Sequence, residues 1–358
     1  MPRTRLRTLT APSPRAASPC VLSPRHASRR LRSRGAALVC SLGLLLAGCV
    51  MNSGFARTRL EQGERALASK DLDVALAEFQ EAVRLDPQLA EGHARLGDVY
   101  QERGELRRAA DAFQAAARLD PFDFSSFFKL GDIYTLLEDI ASAVRAYARA
   151  CKLRPDAFEP RFKLAMSQQR SGDLQDAVES YREALKLEPR DARAWSNLGA
   201  AYDVLGRQYD AIGAYKQALE CDGQQPLVLV NLATVYLNQE RFSSARKTLE
   251  AALRLAPEMS AAHERLGYCH WREGQLAGSA DEYTRAIASD SRNPRAHAGY
   301  GIVRMTQYLE DPGQVGYRTE AIEAWHRSLE CDPQQPKLRE LIAKYRAPRE
   351  PPLLTAEP

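Results

Sequence analysis

Cysteine is scarce and scattered in this chain, and the spacings that make it chemically useful are absent. Seven cysteines occur in 358 residues, and the four beyond residue 50, Cys151, Cys221, Cys269 and Cys331, lie far apart. No paired C-x-x-C and no H-E-x-x-H accompanies them, so the common zinc patterns are missing. His263 and His270 share a helix face near Cys269, but without a third ligand at metal spacing. A phosphate loop, G-x-S-x-G and a dinucleotide fingerprint are missing as well. Carboxylate pairs such as Asp281-Glu282 fall on solvated helix faces, where charge is expected. The chain therefore reads as no enzyme, with no catalytic residues, cofactor, metal or small-molecule substrate. Charge of one sign is also missing locally: residues 1–34 hold nine arginines and neither lysine nor acid.

What is present is periodic. Ala82, Ala116, Ala150, Ala184, Ala218, Ala252 and Ala286 recur every 34 residues. Ala75, Ala109, Ala143, Ala177, Ala211 and Ala245 keep step, yielding to Ser279. Large side chains run alongside as Phe79, Phe113, Tyr147, Tyr181, Tyr215, Leu249 and Tyr283. A fixed period of this length marks stacked supersecondary units. In one copy, His93, Leu96 and Tyr100 take helical spacing, Arg103-Gly104 breaks it, and Ala109, Phe113, Ala116 and Leu119 resume it. Pro121 then forces the preceding residue out of helical geometry. Small residues where two helix axes cross, and large ones on the flanks, describe an antiparallel hairpin. One hairpin cannot bury its own apolar faces, so it must stack on neighbours.

Trp195-Ser196-Asn197-Leu198-Gly199-Ala200-Ala201-Tyr202, followed by Ala211, Tyr215 and Ala218, resembles the tetratricopeptide repeat. The resemblance covers roughly residues 56–335 as eight repeats, starting near 56, 90, 124, 158, 192, 226, 260 and 294. The last carries about eight extra residues, around 309–316, between its helices. It implies an all-α fold, a right-handed α-solenoid; beyond it, the stripe Leu338, Leu341, Ile342 and Tyr345 predicts a capping helix over 336–346, and the proline-rich residues 347–358 read as a disordered tail. Stacked units lie about 10 Å apart, so the four late cysteines are expected as free thiols.

The leader indicates location. After the arginines comes an uncharged run from Gly35, ending in Leu46-Ala47-Gly48-Cys49. This resembles a bacterial lipoprotein signal: a basic n-region, an apolar h-region and a lipobox. The resemblance implies cleavage before Cys49 and its acylation, with residues 49–55 as a short tether. Val50 after the cysteine favours the outer membrane by the same resemblance. Two other readings stand beside it. The 22 uncharged residues 35–56 could serve as a single-pass inner-membrane anchor, and an arginine-rich leader also fits an organellar transit peptide. Without residues 1–48 the 50 basic residues fall to 41 against 46 acids, a net charge of −5. Nucleic-acid binding, which needs a positive footprint, loses its support.

Recognition of other proteins or peptides remains. In this family the first helix of each hairpin lines an inner groove, and the positions that map there include Phe128, Asp132, Phe162, Met166, Ser196, Asn197, Asp203, Val230, Asn231, Thr234, Tyr268 and Trp271. Phe128 and Phe162 read either as exposed anchors or as rings packed on a neighbouring repeat. Glu91, Asp98 and Glu102 make one copy acidic, so the expected ligand combines apolar anchors with some positive charge. The lysine/asparagine clamp of co-chaperone repeats is not matched, whereas Asn197 and Asn231 resemble two rungs of a backbone-gripping asparagine ladder. The resulting expectation is a membrane-anchored scaffold that assembles an envelope complex. It resembles pilus secretin-assembly, outer-membrane assembly and peptidoglycan-hydrolase adaptor lipoproteins. The alternative is a regulatory or substrate-recognition subunit of an envelope protease or glycosyltransferase encoded elsewhere.

Overall fold

The structure, a computed structural model, describes residues 53–346. The arginine-rich leader, Leu46, Ala47, Gly48, Cys49 and the tail 347–358 lie outside the described residues. Among the described residues every regular element is an α-helix, and no helix is long and apolar enough to cross a membrane. Two compact units divide the chain, one ending at Gly92 and the other beginning at His93.

In the first unit, α1 (residues 53–68) packs on α2 (Leu72–Leu85). Helix is already present at residue 53, so residues 53–55 of the expected tether belong to α1; the Thr58 hydroxyl donates to the Gly54 carbonyl at 3.2 Å. A Cβ on Gly63 would lie 2.5 Å from the Phe79 ring, which is why this crossing takes glycine.

The second unit, which begins within α3 (Ala90–Glu102), repeats that hairpin with α4 (Leu106–Leu119), α5 (Phe124–Leu136), α6 (Ile140–Leu153), α7 (Phe158–Ser171), α8 (Leu174–Leu187), α9 (Ala192–Val204) and α10 (Gln208–Cys221). It continues with α11 (Pro226–Asn238), α12 (Phe242–Leu255), α13 (Ser260–Arg272), α14 (Leu276–Ser289), α15 (Pro294–Glu310), α16 (Val315–Cys331) and α17 (Pro336–Tyr345). From α4 onward each helix packs on the next, and α7, α9, α11, α13 and α15 also touch in succession. That is the contact pattern of a solenoid, in which the core is a continuous ribbon. Tyr147, Tyr181, Tyr215 and Leu249 fill it and are almost fully buried.

The turns inside the first seven hairpins have their own 34-residue series. Lys70, Gly104, Glu138, Gly172, Gly206, Glu240 and Gly274 all have positive φ, between 55° and 91°. A left-handed residue directly after a helix lets the chain reverse, and glycine accepts it without a Cβ clash.

The extra residues of the last hairpin do not form a loop between its helices. Only residues 311–314 lie between them, and α15 and α16 are 17 residues each where earlier pairs have 13 or 14. Adding about one turn to both arms preserves the crossing: a Cβ on Gly301 would still strike the Trp325 indole. On α17, Leu338 and Ile342 are buried against Met305 and Trp325.

Candidate functional site

The first helices are tied to one another by a ladder of side chains. Lys129 Nζ donates to Asp98 Oδ1 at 2.5 Å, and Lys163 Nζ donates to Asp132 Oδ1 at 2.7 Å. Arg265 Nε reaches Thr234 Oγ1 at 2.8 Å over the same 31-residue offset. Asn197 and Asn231 occupy the lysine slot in the two intervening repeats, where the acceptor slots hold Met166 and Ala200. The ladder therefore lapses beside Met166, and the surface opens there.

A cleft of about 730 Å³ fills that position. Gln101 of α3, Asp132, Thr135 and Leu136 of α5, Tyr147 of α6, and Arg193 and Asn197 of α9 line it, together with Glu159, Phe162, Lys163, Met166, Ser167 and Arg170 of α7. Four expected groove residues meet here: Asp132, Phe162, Met166 and Asn197. Of these, Met166 is 40% exposed, whereas Phe162 is only 5% exposed and forms the floor. The Phe162 ring stacks on Phe158 at 5.5 Å, lies 6.0 Å from Tyr181, and carries the Arg193 guanidinium 5.0 Å above it. It packs between α7, α8 and α9 instead of standing free as an anchor. Phe128 is half-buried beside Tyr147, with Lys163 Nζ 4.6 Å over its ring.

The remaining expected residues are dispersed. Val230 is 2% exposed and belongs to the core, which removes it from any surface. Ser196, Asn231 and Thr234 are half-buried on α9 and α11. Asp203 is half-buried in the last turn of α9 and does not line the cleft; desolvation holds its carboxyl above the usual range. Tyr268 and Trp271 form a separate pair on α13, with centroids 5.8 Å apart. Near them, His263 sits between Glu282, with Nδ1 2.6 Å from Oε2, and the Pro257 carbonyl, to which Nε2 donates at 2.7 Å. Cys269 is buried and its thiol is pushed up to about 12 by desolvation; desolvation raises buried Cys151 to about 11. Both therefore stay protonated near neutrality.

The acids around the cleft lie beside cations of the protein itself. Asp132 accepts from Lys163 and, at 2.6 Å, from the Tyr147 hydroxyl. Burial, and then that hydrogen bond, push the Tyr147 pKa upward, so it remains a donor. Asp98 is held by Lys129 and, at 3.4 Å, by Arg95. Glu159 lies 3.6 Å from Arg193, which also pairs with Asp191 at 2.8 Å. Arg170 is exposed and has no ion pair among the described residues. Of the lining carboxylates, Asp132 is held by Lys163 and Glu159 shares Arg193 with Asp191, whereas the Arg170 guanidinium is the lining cation without a carboxylate at ion-pair distance.

Leu136, Lys163, Arg170 and Arg193 are lining positions that the groove mapping passed over. Leu136 and Arg170 lie one turn beyond Asp132 and Met166 on the same helix faces, so the i, i+4 rule points to them. The Asp–Lys offset of 31 residues, present twice in the sequence, was the signal that Asp98 and Asp132 are neutralised.

The family model described as Cilia and flagella-associated protein 70 C-terminal domain matches residues 121–299, half of the chain. The Tetratricopeptide repeat model matches residues 90–123. No curated protein matches the chain. Among solved structures it is similar to the APC/C hetero-tetramer Cut9-Hcn1, at TM-score 0.53 and 17% identity over 77% of this chain and 53% of that one. It thus spans about half the length of that relative. A tetratricopeptide repeat protein from Parabacteroides merdae gives TM-score 0.55 at 14% identity, covering 72% of this chain and 99% of the other. Pseudomonas aeruginosa pilF gives TM-score 0.51 at 20% identity, covering 62% and 97%. At these identities the structures share a fold. With its 34-residue period, consecutive helix-pair packing and these matches, the chain belongs to the tetratricopeptide-repeat family.

Proposed function

We propose that this protein is a non-enzymatic scaffold that captures a segment of another protein in the cleft on α5, α7 and α9, and that its leader tethers it to a bacterial envelope membrane. The observation that carries the binding reading is the exposed pair Leu136, 59% exposed, and Met166, 40% exposed, over a rigid aromatic floor. Large apolar side chains around a concavity with a few fixed polar groups are the usual anchors of a bound segment. Tethering through acylated Cys49 would raise the local concentration of whatever is held. The family match lies wholly within the repeats and carries no weight on the leader.

A photo-crosslinking residue in place of Met166, in cells expressing the full chain, tests the binding reading. Mass spectrometry should identify one dominant envelope protein, lost when Leu136→Ser is added; unchanged products with that second substitution would reject the cleft. A hydrolase or transferase in the adduct would select the accessory-subunit alternative. Detergent partitioning of Cys49→Ser tests the tether separately. The variant should move to the aqueous phase, and continued retention in the detergent phase would reject lipidation.

A further inference from the structure

We infer that the occupant of this cleft is an extended, acidic segment: a bulky apolar side chain followed or preceded, three residues away, by Asp or Glu. The inference rests on the proposed binding reading and adds the chemistry of the partner. Its basis is charge complementarity. Both carboxylates lining the cleft already have a cation of the protein beside them, so a lysine or arginine on a ligand would compete with Lys163 or Arg193. Arg170 has no such commitment, and a ligand carboxylate meets its guanidinium without breaking an existing pair. Arginine suits this role because its planar fork binds carboxylate through two parallel hydrogen bonds.

The repeat geometry sets the spacing. Leu136 and Arg170 occupy the same slot in consecutive units, 34 residues apart. Neighbouring packed helices lie about 8–10 Å apart, and an extended polyproline II segment advances about 3.1 Å per residue with three residues per turn, so side chains three apart share a face. An apolar residue against Leu136 therefore places the side chain three residues along near Arg170.

The test uses the full chain in detergent micelles against an array of ten-residue peptides of otherwise random sequence. Leu or Phe is fixed at position 4, and Glu, Gln or Lys at position 7 and, in a mirrored set, at position 1. Wild-type protein should retain the Glu peptides about tenfold more than the Lys peptides, a factor worth about 1.4 kcal/mol. Arg170→Glu should invert that order, while its melting temperature stays at the wild-type value because the side chain is exposed. A wild-type preference for Lys, or an order unchanged by Arg170→Glu, would overturn the inference. If Leu136→Ser still weakened retention in that case, the binding reading would survive. If no peptide class is retained, or if Leu136→Ser and Met166→Ser change nothing, the binding reading itself fails.

Discussion

Phe162 and Met166 lie one turn apart on α7 and do different work. Phe162 is enclosed by Phe158, Tyr181 and Arg193, so Phe162→Ala removes a ring from the core and should cost about 3–5 kcal/mol in chemical denaturation. Met166→Ser, at an exposed position, should change stability by about 0.5 kcal/mol or less while weakening ligand capture. Equal losses from the two would mean that Met166 is part of the core. Asp203 gives a pH signature. Its carboxyl titrates above the ordinary range because it is desolvated, and the last turn of α9 adds a helix end that disfavours negative charge. A folded-state pKa raised above the unfolded value means that the associated stability is full below the unfolded pKa and is lost as pH rises through the folded one. Asp203→Asn should therefore raise the melting temperature at pH 7, and the gain should vanish below about pH 4. A gain that persists in acid would assign the effect to packing.

At the scale of the hairpin, the turn after the first helix is where the units differ most in local cost. Four copies place glycine at the left-handed position, and Lys70, Glu138 and Glu240 occupy it elsewhere. A left-handed conformation costs an ordinary L-residue about 1–2 kcal/mol, and glycine loses about 0.5–1 kcal/mol of backbone entropy. Glu138→Gly should accordingly stabilise by up to about 1 kcal/mol, and Gly172→Ala should destabilise by a similar amount. Opposite signs in one denaturation series would confirm the shared geometry. The sequence displays Gly104 as a break but hides the series, because three of its seven members are charged residues. The helix pairs themselves were legible, since alternating small and large residues at fixed spacing leave one way for the axes to cross. Exposure within the first helices was not. Phe128 and Phe162 share a slot, yet one is half-buried and the other covered, and Val230 in the same slot is core. What covers each depends on side chains from the next repeat, such as Arg193 over Phe162, which a one-repeat pattern does not contain. The tryptophan slot shows the same dependence. Trp195, His263 and His297 each donate a ring N–H to the carbonyl six residues earlier, at 2.7–2.9 Å. Arg161 makes the same bond through its guanidinium to the Pro155 carbonyl, while Phe127 and Leu229 fill the slot with no side-chain donor.

At the scale of the whole second unit, cohesion is local: from α4 onward helices touch their neighbours one or two places along the chain. Stability in such an array is close to a sum of unit and interface terms, so damage stays near where it is made. The last interface is α17 on α16, where Leu338 and Ile342 cover Met305 and Trp325. Removing residues 336–346 would expose that surface, leaving the Trp325 indole without the Tyr345 ring now 6.4 Å away. Hydrogen exchange on the shortened chain should then show faster exchange in α15 and α16, a smaller change in α13 and α14, and wild-type protection around the cleft on α5, α7 and α9. Peptide capture by the cleft should be retained to the same degree. A uniform loss of protection from α4 to α16 would instead mean that the unit unfolds as one cooperative body, and that the cleft depends on a cap many hairpins away.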